Sequence, residues 1–250
     1  MTSVPREIPD GTQEDEASVD PEGSGTIELV RSMVVPRPVL QPELLGFHLL
    51  NPRIAGPTDV PLLGEAYRCW SDIWKQTFAE LDGARGLPSD DFSRQDEIAA
   101  LFHEWECIAT ASIRWVDLMN PVFRDDSYFS VWPVDAFDAA KAEGTKICIV
   151  SSFAVAIAWR RARGGPVRTL LGALLVERFL RSEADTIVAT VRNDRGMNAL
   201  CYHLGFRPLA REVVHHGVKV DLVAFHRKSS RRCTHSDAIE ETVAALLPIR

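Results

Sequence analysis

Apolar residues recur three and four positions apart between about residues 63 and 81, which is the spacing of one face of a helix. The stripe consists of Tyr67, Trp70, Ile73, Trp74 and Phe78. We therefore predict a first helix over 63–81. It should end at Asp82-Gly83, because glycine suits the left-handed conformation that closes many helices.

Two apolar runs of a different kind follow, at Glu97–His103 and Cys107–Val116. Only residues 104–106 separate them, and so short a connection is typical of a hairpin. Further along, Ile147–Trp159 is the longest apolar run of the chain. Its valine, isoleucine and phenylalanine content predicts a central buried strand.

Shorter patterns complete the predicted order of elements. They are a strand at Tyr128–Trp132, a helical turn at Asp135–Ala142, a helix from Pro166 that carries Leu170, Leu171, Leu174 and Leu175, a strand at Thr186–Val191, a short helix at Met197–Leu204, a hairpin that turns at His216-Gly217, and a last helix at Ser236–Leu247. Mixed strands and helices of this kind predict an α/β (α+β) domain.

By composition the chain divides into four segments. Residues 1–26 are rich in acidic and small residues and cannot offset the entropy of ordering, which predicts a disordered tail. Six prolines interrupt residues 27–62, so we expect an extended segment that wraps the domain. Residues 63–228 hold the predicted domain, and residues 229–250 hold a basic linker and the last helix.

The charge and hydropathy of the chain narrow its partners and its location. The net charge is −7, but the first 25 residues contain seven acidic residues against one arginine, so the rest is close to neutral. A nearly neutral body offers no basic field for nucleic acid. No apolar run reaches the roughly 18 residues of a membrane span, and no basic and apolar leader opens the chain. We therefore expect a cytoplasmic protein.

Cysteines and histidines give no metal signature. The five cysteines are widely spaced, without a C-x-x-C pair or a regular spacing to histidines. His215-His216 lies at a predicted hairpin turn, with no third ligand at a suitable spacing. We expect neither a disulfide framework nor a metal site.

A basic, glycine-rich loop joins the central strand to the following helix. It contains Arg160, Arg161, Arg163, Gly164 and Gly165. Glycines let the backbone approach an anion, the unpaired N–H groups of a helix start point toward it, and arginines pair with phosphate oxygens. We expect this loop to bind a phosphate group. The alternative is an ordinary strand-to-helix turn whose arginines are solvated.

With this loop and this order of elements, the chain resembles the GNAT superfamily of N-acyltransferases. Members carry an (R/Q)-x-x-G-x-(G/A) loop after the fourth strand, and residues 161–166 read Arg-Ala-Arg-Gly-Gly-Pro. Residues 199–206, Ala-Leu-Cys-Tyr-His-Leu-Gly-Phe, look like the short helix that precedes Gly-Phe in the family. The resemblance covers about residues 63–228. It implies a mixed, mostly antiparallel central sheet that is flanked by helices and splayed between its fourth and fifth strands.

The resemblance also implies an activity, the transfer of an acetyl or longer acyl group from a coenzyme A thioester to an amine. The loop amides from about Arg161 to Gly165 would cradle the pyrophosphate, and the thioester arm would lie along the strand near Phe153 to Ile157. An amide near Val155 would polarise the thioester carbonyl. Asn193, after the next strand, is a further cofactor-binding residue on this resemblance.

In the family a tyrosine before Gly-Phe protonates the departing thiolate, which makes Tyr202 our first choice for the acid. The spacing before Gly-Phe is one residue shorter than usual, so Cys201 falls at the tyrosine position and Tyr202 is rotated by about 100° on the helix. Either Tyr202 reaches the site, or Cys201 lines it, or the acid is missing. For the base that deprotonates the amine, Glu104, Glu106 and Asp117 are candidates by location alone.

The amino-terminal half is loosely similar to autoinducer synthases and N-acyl amino acid synthases, which often take acyl groups from acyl carrier protein. The similarity rests on Arg68, Trp70, Phe78, residues 90–92 and residues 152–155. Acyl carrier protein is therefore a second candidate donor, and the basic cluster at residues 227–232 could contact such an acidic partner. The alternative function is a non-catalytic GNAT-fold module that binds acyl-CoA or a protein.

Overall fold

The computed structural model describes residues 37–82, 87–231 and 235–247. The predicted acidic tail, residues 1–26, lies outside this part of the chain. Its helices are α1 Val60–Asp82, α2 Asp90–Ser93, α3 Val134–Ala140, α4 Val167–Leu180, α5 Met197–His203 and α6 Asp237–Leu246. Its strands are β1 Leu45–Leu50, β2 Glu97–His103, β3 Glu106–Asp117, β4 Lys146–Val155, β5 Thr186–Arg192, β6 Arg207–His215 and β7 Val218–His226.

The seven strands form one mixed sheet in the order β1-β2-β3-β4-β5-β7-β6. β4 and β5 are parallel, and all the other neighbouring strands are antiparallel. A parallel pair needs a crossover connection, and α4 supplies it between β4 and β5. The predicted fold class, a mostly antiparallel mixed sheet flanked by helices, is confirmed.

Apolar layers cover both faces of the sheet. In β2, Ala99 and Leu101 belong to the core that includes α4, whereas the alternate residues Ile98 and Phe102 pack in the cluster that contains Trp70 of α1. This alternation follows from the two-residue period of a strand. Because each face of the central strands meets a helix, the strands read as continuous apolar runs instead of alternating ones.

The predicted central strand is shorter than its apolar run. β4 ends at Val155, and Ile157–Arg161 forms a 3-10 turn that buries Trp159 to 5% exposure. An apolar run does not show by itself where a buried strand gives way to a buried turn.

The prediction of a strand at Tyr128–Trp132 was wrong, and β1 was missed. The Asp126 carboxylate accepts the N–H of Tyr128 and starts a 3-10 turn at Ser127–Phe129. β1 lies within the segment predicted as extended wrapping chain, and it pairs antiparallel with β2 along its six residues. Because Pro42 and Pro52 lie on either side of β1, the segment was interpreted as irregular extended chain and the strand was not predicted.

Arg227 closes the carboxyl end of α4. Its guanidinium donates hydrogen bonds to the carbonyl oxygens of Phe179, Leu180, Ser182 and Ala184, at 2.8–2.9 Å, and lies 4.9 Å from the centre of the Phe179 ring. The Phe179 carbonyl also accepts the N–H of Ser182, whereas the carbonyl of Leu180, the last residue of α4, has no partner within the helix. A cation at this end of the helix also matches the helix dipole. Arg227 therefore stabilises the fold and does not face a partner.

We expect Arg227→Ala to lower the free energy of unfolding by roughly 3 kcal/mol or more, since it leaves several part-buried carbonyls unpaired. For a chain of this size that corresponds to a fall in Tm of roughly 6–12 °C, measured by calorimetry. Lys228→Ala is the matched control, because Lys228 is exposed next to it and should change Tm little. Equal Tm values for the two variants would contradict this role.

Candidate functional site

The central sheet opens between β4 and β5. The two strands pair only from Ile147–Thr186 to Ile149–Val188 and then separate. Just beyond, β4 carries a bulge in which Ser152 and Phe153 face the single residue Ala111 of β3. Ser152 has a φ of 52°, which is uncommon outside glycine and marks the local change of strand direction. The splay predicted between the fourth and fifth strands is therefore present.

A cavity of about 310 Å³ fills this opening. Its walls come from β4, β5, α1, α4 and α5 and are mostly apolar. Residues 150–155 of β4 form one side, so the predicted positions Phe153 and Val155 both line the cavity. A partly apolar cavity of this size with a few polar groups is typical of a small-molecule site.

The main-chain N–H of Val155 faces the opening. Ala156 donates its N–H to Ile108 on β3 at 2.9 Å, and Val155 is paired with Ala109. In an antiparallel ladder this bond flanks a non-hydrogen-bonded pair, so both main-chain groups of Val155 point away from β3. Its carbonyl accepts the Nε of Arg160, a cavity-lining residue, at 3.1 Å. The Val155 N–H is thus available to a carbonyl oxygen in the cavity.

The glycine loop provides a row of unpaired main-chain donors. Gly164 and Gly165 have φ of 93° and 147°, a region that favours glycine. The N–H groups of these two residues, and of Val167 and Arg168 at the start of α4, have no acceptor among the described residues. Four neighbouring donors at a helix start form an anion site.

Two N–H groups of the predicted pyrophosphate site already have main-chain acceptors. Ala162 donates its N–H to the carbonyl of Trp159 at 3.2 Å, and Arg163 donates to the carbonyl of Pro38 at 2.9 Å. The available donors therefore begin at Gly164 and extend into α4, later than the predicted range of Arg161 to Gly165.

The charged residues of the cavity wall are mostly arginines. They are Arg160, Arg168, Arg192, Arg195 and the carboxylate Glu80, and Arg192 forms an ion pair with Asp194 at 2.6 Å. Arg161 and Arg163 are exposed and are not among the lining residues. Arg195 forms an ion pair with Glu80, which joins α1 to the β5–α5 connection. Sequence reasoning missed this pair, since nothing in the local pattern connects residues 115 positions apart.

The two acid candidates lie on different sides of α5. Cys201 lines the cavity at 7% exposure, and burial raises the pKa of its thiol to about 12, so it stays protonated near neutral pH. Tyr202 is not among the lining residues. Its hydroxyl donates to Asp221 of β7 at 2.5 Å. The structure thus brings Cys201, and not the tyrosine hydroxyl, to the cavity.

Asp221 is the centre of a buried polar cluster. It is 3% exposed and accepts hydrogen bonds from the side chains of Tyr202, Asn193 and Asn198 and from the N–H of Glu212. Burial alone would raise its pKa, but these donors lower it to about 2. Burial and the Asp221 carboxylate together raise the pKa of Tyr202 to about 12. The side chain of Asn193 therefore supports β7 and does not line the cavity.

A second cavity, of about 170 Å³, adjoins the first. Trp74, Ser151 and Ser152 line both cavities, and Trp74 donates its Nε1–H to the Ser152 carbonyl at 3.1 Å. Two residues that line the second cavity, Trp70 and Gln95, each have a buried polar atom without a partner among the described residues, the Nε1 donor and the Oε1 acceptor. Buried unpaired polar atoms call for a ligand or a water molecule.

The predicted base candidates lie away from both cavities. Glu104 and Glu106 are on the β2–β3 hairpin, and Asp117 ends β3 opposite Lys146. None of the three lines either cavity. The carboxylates that do are Glu80 and Asp91, and each is paired with an arginine, Asp91 with Arg94 at 2.8 Å.

The described residues contain no group of three or more histidine, cysteine or acidic side chains placed to hold a metal ion. No helix among them is both long and apolar enough to cross a bilayer.

Comparisons with known proteins identify the fold. No family model matches the sequence, and no curated protein is significantly similar to it. Among solved structures, the mosquito arylalkylamine N-acetyltransferase like 5b is similar with a TM-score of 0.55 at 9% identity, over 73% of this chain and 99% of that one. At such low identity the likeness concerns the fold alone.

Two other solved structures are similar to a comparable degree. FeeM, an N-acyl amino acid synthase from uncultured soil microbes, has a TM-score of 0.51 at 16% identity, over 74% of this chain and 91% of that one. BjaI, a coenzyme A-dependent acyl-homoserine lactone synthase, has a TM-score of 0.51 at 14% identity, over 81% and 87%. Together with the splayed mixed sheet, these matches show that the chain has the GNAT fold.

Proposed function

We propose that the protein is an N-acyltransferase that moves an acetyl or longer acyl group from a coenzyme A thioester to an amine. The observation that carries this proposal is that three features meet at the opening between β4 and β5. These are the row of unpaired donors, which begins at Gly164 and ends at the cavity-lining Arg168, the arginines of the cavity wall, and the free N–H of Val155. GNAT-fold neighbours named as acyltransferases support it.

In this proposal the thioester is held at two points. The diphosphate binds the N–H groups of Gly164, Gly165, Val167 and Arg168, and Arg160 and Arg168 of the cavity wall balance its charge. The acyl arm then lies along β4. Its carbonyl oxygen accepts the N–H of Val155, which stabilises the negative charge that develops on that oxygen during attack.

The chemical step needs an amine and a path for one proton. The neutral amine nitrogen attacks the thioester carbon, and a C–N bond forms. The tetrahedral intermediate then collapses with cleavage of the C–S bond. The thiolate leaves with the bonding electron pair and takes up the proton that the nitrogen releases. Direct transfer or a bridging water suffices, because a thiolate beside an ammonium-like nitrogen is a ready acceptor.

We place the amine acceptor in the second cavity. It adjoins the thioester cavity at Trp74 and Ser152, so a nucleophile there lies next to the bulge of β4. The unpaired Gln95 Oε1 and Trp70 Nε1 provide one acceptor and one donor for a small polar amine.

Two points of the prediction remain proposals about this site. The acyl donor is coenzyme A or acyl carrier protein, and the exposed Arg161 and Arg163, which lie outside the cavity lining, suit the acidic surface of a carrier protein. The alternative function is a GNAT-fold module that binds acyl-CoA without transfer. Such a module would use the same thioester site but would not acylate an amine. A mass-spectrometric screen of amino acids, polyamines and peptides with acyl-CoA separates the two, because only the enzyme gives an N-acylated product.

Coenzyme A at about 100 times its Kd should stabilise the protein by roughly 2.7 kcal/mol, seen as a rise in Tm.

Arg160→Ala and Arg168→Ala should each weaken coenzyme A binding by about 1.5–3 kcal/mol, or roughly 10- to 150-fold, in titration calorimetry. Arg161→Ala is the matched control, since Arg161 is in the same loop but does not line the cavity. If Arg161→Ala weakens binding as much as Arg160→Ala, the assignment of the cavity is wrong.

The general-acid role of Tyr202 stays a prediction, and the geometry suggests how to test it. We expect Tyr202→Phe to lower the free energy of unfolding by about 1.5–3 kcal/mol, through loss of the bond to Asp221, while kcat falls less than tenfold. Cys201→Ala should likewise retain most of kcat. A loss of 10²–10⁴ in kcat for Tyr202→Phe would restore the tyrosine as the acid.

The rate should follow the ionisation of the acceptor. Because Glu80 and Asp91 are paired with arginines, we expect kcat/KM to rise about tenfold per pH unit and to level off at the pKa of the ammonium group. An α-amine and an alkylamine should therefore level off near about pH 8 and 10 respectively. A plateau at the same pH for both acceptors would indicate a base on the enzyme.

A further inference from the structure

Residues 38–40 form a short strap across the glycine loop. Leu40 donates its N–H to the carbonyl of Arg163 at 2.7 Å, and Arg163 donates its N–H to the carbonyl of Pro38 at 2.9 Å. Val39 and Arg163 thus form a parallel β-bridge. Both main-chain groups of Arg163 are therefore held by a segment more than 120 residues earlier in the chain.

The strap also fits the loop sterically. Gly164 has φ of 93°, and a Cβ there would lie 2.6 Å from the carbonyl oxygen of Leu40. A Cβ on Gly165 would lie 3.8 Å from Cδ2 of Leu40. The Leu40 side chain is 8% exposed and belongs to the same core as Trp159 and Val167, which flank the loop. The approach of strap to loop therefore needs glycine at 164 as well as the two hydrogen bonds.

We propose that the strap, residues 38–40, is a positioning element of the thioester site. This inference rests on the proposed function, because it assumes that the loop holds the diphosphate. The strap fixes Arg163 immediately before the first unpaired donor, Gly164, so it sets the direction of the donor row before the ligand arrives. A loop that is already in its binding conformation loses less entropy when it binds, which increases affinity.

Point variants in the full chain test this role. Leu40→Pro removes both the leucine side chain and the N–H that the Arg163 carbonyl accepts. Leu40→Ala removes most of the side chain and keeps the N–H. Val39→Pro is the control, because the main-chain groups of Val39 point away from the loop in a parallel bridge of this register.

We expect Leu40→Pro to weaken coenzyme A binding by tenfold or more, Leu40→Ala by less, and Val39→Pro by less than threefold, by calorimetry well below each Tm. The KM for the thioester should rise in the same order while the KM for the amine is unchanged, a split that general destabilisation would not produce. Wild-type affinity in a folded Leu40→Pro variant would overturn the inference.

A second measurement needs no variant. If the strap favours binding, binding must favour the strap by the same coupling free energy. We therefore expect coenzyme A to slow hydrogen exchange in the wild-type peptide that covers residues 37–41, together with the start of α4. Protection of α4 without any change in the strap would also overturn the inference. Absence of coenzyme A binding to the wild-type chain would instead refute the proposed function.

Discussion

The structure depends on the incomplete pairing of two parallel strands. β4 and β5 share three paired positions and then diverge, which leaves main-chain donors of β4 without a strand partner. Unpaired main-chain groups are costly when buried, so an opening of this kind persists only where the fold supports it and a ligand or water can use it. The proposed stabilisation of the oxyanion uses one of these donors, the N–H of Val155.

The rest of the fold keeps this opening from collapsing. The bulge at Ser152 turns β4 aside, and Trp74 of α1 holds the bulge through its bond to the Ser152 carbonyl. On the other side, α4 is buried along most of its length and places its first N–H groups beside the loop. The strap then fixes the loop to the amino-terminal segment. Stability and site geometry are thus produced by the same contacts.

The sequence predicted the features that depend on local pattern. The stripe of α1, the β2–β3 hairpin and the helix after the glycine loop are each encoded within about twenty residues, and each was confirmed. Phosphate binding by the glycine loop stays a prediction. The splay was expected only through the GNAT resemblance. The spacing before Gly-Phe put Cys201 at the tyrosine position of the family, and the structure places Cys201 in the cavity wall.

Features that join distant residues were beyond prediction. The direction of the Tyr202 hydroxyl is set by Asp221 on β7, and the use of the Arg163 N–H is set by Pro38. The pairing of Glu80 with Arg195 is likewise a product of the assembled fold. Composition and periodicity carry no information on which side chains meet across a sheet, so these partners appear only in three dimensions.

The most direct test of the account is a crystal structure with a stable ketone analogue of acyl-CoA, in which a methylene group replaces the thioester sulfur and the acyl carbonyl is kept. We expect the diphosphate oxygens within about 2.7–3.2 Å of the N–H groups of Gly164, Gly165 and Arg168, and the acyl carbonyl oxygen at the same distance from the N–H of Val155. An analogue bound outside the opening, or a β4 and β5 that pair along their whole length when it binds, would contradict the account.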